Sequence, residues 1–174
     1  IIGGGFTAVD CARTARRILG SKANVGIMYR RGEAQMAATQ EELVAMRGEN
    51  ICIETLVTPV AAKVVGDRLH AVTFQRTILG NAQDSGKPAF LPVADSEFDV
   101  PCDTLIFAIG QQPERAILPS QIQIAENHKT NISGLYIGGD FSGAGSADVI
   151  NAVADGKCVA DKIDTFLMGQ CRRR

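Results

Sequence analysis

The sequence predicts an α/β protein built on a parallel sheet. Three stretches carry that reading. "IIGGGFTAVD" sets a glycine triplet in front of a helical pattern. "ANVGIMYRR" follows as an apolar strand ending in two arginines. "DTLIFAIG" is a near-continuous apolar run, as expected of a strand buried on both faces of a parallel sheet.

From Phe6 to Leu19 the spacing is helical, with Ala8, Ala12, Ala15, Ile18 and Leu19 on one face, and Gly20 stops the helix. "QEELVAMRGEN" reads as a short helix closed by Gly48, and "ICIETLV" as a third strand. "AAKVVGDRLHAVTFQRT" has β-branched residues on both sides of Gly66-Asp67 and predicts a hairpin. "GNAQDSGKPAFLPVADSEF" is polar and broken by glycine and proline, so a loop or exposed excursion is expected. After "GQQPE" the character changes. Short strands are expected around Ser133-Gly134. A long amphipathic helix is expected near the end, with Val149, Ile150, Val153, Val159, Ile163, Phe166 and Leu167 as its apolar positions. Arg172, Arg173 and Arg174 read as a solvated tail.

Composition narrows the function classes. The chain has 174 residues, is 45% apolar, and carries a net charge of −1. No basic field points to nucleic acid, and no apolar run approaches the roughly 20 residues of a membrane span. Cys11, Cys52, Cys102, Cys158 and Cys171 lie far apart without a CxxC, so neither a zinc ribbon nor a dithiol centre is read. Lone cysteines of this kind are ordinarily small buried hydrophobes, and the usage suits a reducing cytoplasm.

Chemistry concentrates at three places. In Gly3-x-Gly5-x-x-Ala8, Gly3 allows a tight turn, Gly5 admits a pyrophosphate against the backbone, and Ala8 lets helix pack on strand. The following helix turns unpaired amides and a positive dipole end toward the phosphates. At the end of the next strand, where NAD-binding domains carry an acid for the ribose, stand Arg30 and Arg31. Guanidinium forks match a 2′-phosphate, hence NADPH; a solvated pair at a strand end is the plain alternative. "GLYIGGD" before "FSGAGSAD" and a helix leaves two readings open: a second ligand site, or an exposed Asp140 in a turn.

Taken together, "IIGGGFTAVDCARTARR", "YRRGEAQMAATQEEL", "DTLIFAIGQQPE" and "GLYIGGDFSGAGSADVINAVADGKCVADKI" resemble the NADPH-dependent FAD oxidoreductases of the glutamate synthase small-subunit family. Dihydropyrimidine dehydrogenase carries a similar module. The resemblance runs in order along essentially the whole chain. It implies a Rossmann-like NADPH-binding domain, with a parallel sheet and a β-meander, over residues 1–107, and the second half of an FAD-binding domain over residues 108–174. It also implies that the first half of the FAD domain and an Fe–S region precede Ile1, so the chain is expected to be a piece of a longer protein with a truncated first strand.

By position, the resemblance places Gly3, Gly5, Phe6 and Thr7 at the NADPH pyrophosphate and Arg30 and Arg31 at the 2′-phosphate. Ile109 and Gly110 fall beside the nicotinamide, and Asp10 is a further candidate there. Gly139 and Asp140 fall at flavin ribityl or pyrophosphate groups. The amides of Asp148 and Val149 fall at the pyrimidine edge of the flavin. Two positions depart from the family: Phe6 stands where Asp is common, and Met36-Ala37-Ala38 replaces Met-Pro-Ala. Glu41 and Glu42 open a helix, where carboxylates are favourable in any case.

The implied activity is electron input. Hydride passes from NADPH to FAD, and electrons go on to Fe–S centres or a large or electron-accepting partner subunit. No side chain is assigned as catalytic, because the cofactors carry the chemistry, and no metal ligands are assigned. An apolar face from about Ile109 to Leu167 is expected to pack on the FAD half-domain, or to form a homodimer in its absence. A thiol-disulphide reductase needs a vicinal cysteine pair that the sequence lacks. A non-catalytic NADPH-binding module is the remaining alternative.

Overall fold

The computed structural model describes residues 1–82, 86–112, 114–125, 128–143 and 148–171, with residues 170 and 171 described as backbone only. The arginine tail 172–174 and residues 144–147 lie outside the described residues. The chain divides into two compact units, Ile1–Gly110 and Gln111–Arg174.

In the first unit, helix α1 spans Phe6–Leu19, strand β1 Gly26–Tyr29, helix α2 Gln40–Gly48 and strand β2 Cys52–Thr55. β1 and β2 pair in parallel, Ile27 opposite Ile53. On the other side of β1 lies the segment before the glycines. The Ile1 carbonyl accepts from Met28 N at 2.8 Å, and the Met28 carbonyl from Gly3 N at 3.0 Å. Ile2 also bridges in parallel to Phe107, with Ile2 N donating to the Ile106 carbonyl and Ala108 N to the Ile2 carbonyl, both at 2.8 Å. Ile2 is therefore central, with β1 on one side and Phe107 on the other. The chain leaves it first one way and later the other, which is the switch point of an open α/β sheet.

Both faces of this sheet are covered, and the strand period of two sorts the side chains. Ile27 packs with Ala8, Val9 and Ala12 of α1 and with Leu43 and Met46 of α2. Ile2, with Met28 packed alongside, joins Val57, Val72 and Phe74 on the opposite face. Those last residues belong to an antiparallel meander: β3 Val57–Val65, β4 Arg68–Ala82 and β5 Pro88–Pro101, in the order β3-β4-β5. Leu56, at φ 58°, turns the chain from the parallel sheet into the meander.

Four sequence expectations need correction. The stretch 80–98 is mostly strand rather than loop, since β4 runs on to Ala82 and β5 begins at Pro88. β5 is an outer strand, which tolerates prolines without an N–H, and register shifts at Gln75/Thr77 and Leu79/Ala82 absorb the irregularity. "DTLIFAIG" is not a buried strand. Among the described residues it pairs only through Phe107, against the single bridging residue Ile2, and Ile106, Phe107 and Ile109 are exposed. "ICIETLV" breaks at Leu56, and Val57 opens the next strand. Ile18 and Leu19 are exposed, because the last turn of α1 runs past the core made by Ala8, Val9 and Ala12.

In the second unit, Ile124 bridges Thr130, and Lys129 bridges Tyr136 across the turn at Gly134 (φ 80°), which follows Thr130. Helix α3 spans Val149–Cys171. Tyr136 meets Phe166 edge-on at 6.4 Å. A Cβ on Gly138 would stand 2.8 Å from the Val159 side chain, so the backbone at Gly138 lies directly on α3. Buried His128 reaches the Ile137 carbonyl through Nδ1 at 3.1 Å and Asp155 through Nε2 at 3.6 Å.

Candidate nucleotide-binding site

Three candidate segments lie at the carboxyl ends of adjacent parallel segments: Gly3–Gly5 after Ile2, Arg30–Arg31 after β1, and Ile109–Gly110 after Phe107. This is the edge of an open α/β sheet where ligands bind.

The three glycines have different reasons. Gly3 sits at φ 145°, and a Cβ there would fall 2.2 Å from the Ala108 carbonyl oxygen. At Gly4 a Cβ would press on the Tyr29 ring at 2.7 Å. Both serve the fold. Gly5 has ordinary extended backbone, φ −110° and ψ −178°, and a Cβ would meet nothing within 4 Å. The protein itself does not demand glycine at that position, whereas a ligand against the backbone would.

Gly5 caps α1, and among the described residues no side chain bonds to that helix end, nor does its first turn carry a carboxylate. The Gly5 carbonyl accepts from the amides of Ala8 and Val9 at 3.0 and 3.2 Å. The amides of Phe6 and Thr7 donate to no backbone carbonyl among the described residues, and both side chains are exposed. The Phe6 departure therefore removes an acid from the positive helix end. The Ala37 departure is also accommodated: Ala37 N donates to the Gly4 carbonyl at 2.8 Å, a bond proline cannot make. Asp10 is exposed on the second turn of α1. Ile109 is exposed and Gly110 has φ 92°.

The arginine pair is gripped through its backbone. Thr77 Oγ1 donates to the Arg30 carbonyl at 2.8 Å, and Leu56 N to the Arg31 carbonyl at 3.0 Å. Arg30 is exposed, while Arg31 is 7% exposed and its Nε donates to the Pro88 carbonyl at 2.6 Å. Their Cζ atoms lie 4.6 and 5.6 Å from the centroid of Phe90. Neither Pro88 nor Phe90 was a sequence candidate, because both fell in the stretch read as a loop. The aromatic and aliphatic residues of "AFLPV" were the available strand signal.

In the second unit, Asp140, Asp148, Val149, Ala152 and Val153 line a shallow concavity of about 360 Å³. Gly139, at φ 66°, begins the short 3-10 turn Gly139–Phe141 that presents Asp140. The Asp148 carboxylate accepts from the Asn151 amide at 2.8 Å and so caps α3. Its backbone, rather than its side chain, is the part the sequence reading assigned.

A glycine turn at the switch point of a parallel sheet, with a helix N-terminus beyond it and a β-meander below, is the architecture of a pyridine nucleotide-linked oxidoreductase. The chain belongs to the pyridine nucleotide-disulphide oxidoreductase family, whose profile matches residues 1–156. Over 176 residues it is 33% identical to the NADP(+)-dependent formate dehydrogenase subunit beta of Moorella thermoacetica, covering 96% of this chain and 24% of that protein. It is also 33% identical over 182 residues to the glutamate synthase (NADPH) small chain of Escherichia coli (strain K12), covering 96% and 38%. The fold is that of T. acidophilum thioredoxin reductase, with TM-score 0.74 at 18% identity over 96% of this chain and 51% of that one. The chain thus spans between 24% and 38% of the length of these two curated relatives. Among the described residues no helix is long and apolar enough to cross a membrane. Cys11, Cys52, Cys102 and Cys158 are free thiols.

Proposed function

We propose that residues 1–107 form the NADPH-binding domain, and residues 108–174 part of the FAD-binding domain, of an electron-input flavoprotein. The observation that carries this reading is the bare N-terminus of α1 behind Gly5, at the same sheet edge as Arg30 and Arg31. Unpaired amides and the helix dipole favour a pyrophosphate there, and guanidinium forks favour a 2′-phosphate. The NADP-linked names of the two relatives favour the same choice of nucleotide.

When bound, the nucleotide would supply a hydride and the flavin would serve as its acceptor, for onward electron transfer to Fe–S centres or a partner subunit. This chain's residues bind and orient. Gly3 and Gly4 hold the turn closed against Ala108 and Tyr29, so that Gly5, Phe6 and Thr7 present backbone to the phosphates. Ile109 and Gly110, with Asp10, stand at the nicotinamide side. For the flavin, the concavity lined by Asp140, Asp148 and Val149 is an open cradle, in which this reading assigns the Asp140 carboxylate as acceptor and the backbone amides of Asp148 and Val149 as donors. Val149, Ile150, Val153 and Leu167 expose an apolar stripe on α3. In this reading it packs on the remainder of the FAD-binding part.

The test is anaerobic titration of the complete protein with NADPH and with NADH, following the absorbance of bound flavin. NADPH is expected to bleach it faster at equal concentration. Nucleotide binding without any bound flavin would leave a non-catalytic module instead. The 174-residue chain alone is expected not to retain stoichiometric FAD, and tight retention would show that it holds the flavin site by itself.

A further inference from the structure

We propose that Phe90, with the Pro88 carbonyl, is a platform that positions Arg30 and Arg31 for a 2′-phosphate, so that the outer meander strand sets nucleotide specificity. The proposal rests on the NADPH reading above and adds residues outside the glycine turn and the arginine pair.

One aromatic ring serves both cations. Arg30 Cζ lies 4.6 Å and Arg31 Cζ 5.6 Å from its centroid, within the range where a ring face attracts a guanidinium. Arg31 is further fixed by its Nε bond to Pro88, which leaves its two Nη groups without an acceptor among the described residues. The backbone carbonyls of both arginines are held by Thr77 and Leu56. Each side chain is thus tied at its root to the start of the meander and at its head to β5.

The charges themselves are left uncompensated. Arg13, Arg17, Arg47 and Arg76 each meet a carboxylate, whereas Arg30 and Arg31 meet none among the described residues. Two guanidiniums gathered on one ring repel each other unless an anion joins them, and a phosphate accepts charge-assisted bonds from both. The ring orders long, rotamer-rich side chains before the ligand arrives, which reduces what binding must spend on ordering them. Aliphatic packing could fill the same space but offers no ring face.

The experiment titrates the protein with NADPH and NADH for Phe90→Leu, Phe90→Tyr, Arg30→Ala, Arg31→Ala, and Arg30→Ala combined with Phe90→Leu. Phe90→Leu is expected to weaken NADPH about two- to tenfold, the scale of a cation–π contact, and to leave NADH unchanged. Phe90→Tyr keeps the ring face and should restore NADPH affinity. In the Arg30→Ala background the effect of Phe90→Leu should shrink. Equal losses of NADPH and NADH in Phe90→Leu would make the ring merely structural and overturn the proposal. If Arg30→Ala lowers NADPH preference while Phe90→Leu does not, the phosphate reading stands and the platform falls. If Arg30→Ala and Arg31→Ala both leave the preference unchanged, both fall together.

Discussion

Helix α2 begins with its own cap, and α1 begins without one. At α2, the Thr39 hydroxyl accepts from Glu42 N at 3.3 Å and the Glu42 carboxylate accepts from Thr39 N at 2.7 Å. Glu41 and Glu42 add negative charge to the first turn. At α1, the cap is Gly5, with no side-chain bond and no acid. Helix ends leave donors that something must satisfy. α2 satisfies them from its own sequence, and α1 leaves them at the sheet edge where three candidate segments converge. The difference separates a helix start satisfied within the fold from one left open, the end at which we propose that the phosphates bind. Glu41 and Glu42 belong to the first kind.

Gly3→Ala should have the largest effect. Its Cβ would collide with Ala108 backbone at a positive φ, so about 3 kcal/mol or more of stability should be lost. Chemical denaturation would measure it, and a midpoint matching the parent would mean that the turn yields freely. Gly5→Asp sharpens the contrast. It gives α1 the cap it lacks, so the fold should hold or gain slightly. The new carboxylate occupies the amides and repels phosphate, so NADPH should bind about a hundredfold more weakly. Unchanged NADPH affinity in a titration would sink the assignment of the bare helix end.

Thr39→Ala is the mirror experiment. It removes half of the capping box and should cost about 1 kcal/mol of stability while leaving NADPH affinity at the parent value. A loss of NADPH affinity would break the division between the two helix starts. The smallest effect concerns the tie between the helices. Arg13 of α1 donates through Nε to Glu49 at 2.9 Å, at the end of α2. That bond holds the Glu49 carboxyl below its usual range. A depressed carboxyl stabilises the fold above its unfolded value, and the gain is lost as pH falls through the folded value. Glu49→Gln should therefore sit slightly below the parent in urea midpoint at neutral pH, and the gap should close in acid. A gap that stays constant with pH would remove the ion pair as its cause.

Local signals fixed much of this molecule in advance. Both helices of the first unit and the long α3 follow from their periods, and Gly20 from its place after the last periodic residue. The hairpin turn at Gly66-Asp67 follows from its flanking β-branched residues. The glycine triplet and the arginine pair were legible because their chemistry resides in neighbouring residues and in backbone. The sequence could not show which glycine does what. Gly3 is dictated by Ala108, more than a hundred residues away, and Gly5 by the absence of any such neighbour. Nor could it show β5. Prolines and glycines announce a loop when read locally, and only pairing with β4 on an outer edge makes them a strand. That pairing brings Phe90 beneath Arg30 and Arg31, a juxtaposition across about sixty residues that no local period encodes. Propensity and spacing act over a few residues, so they set the elements. Contacts between distant residues depend on how the sheets close, and those were decided by the tertiary structure.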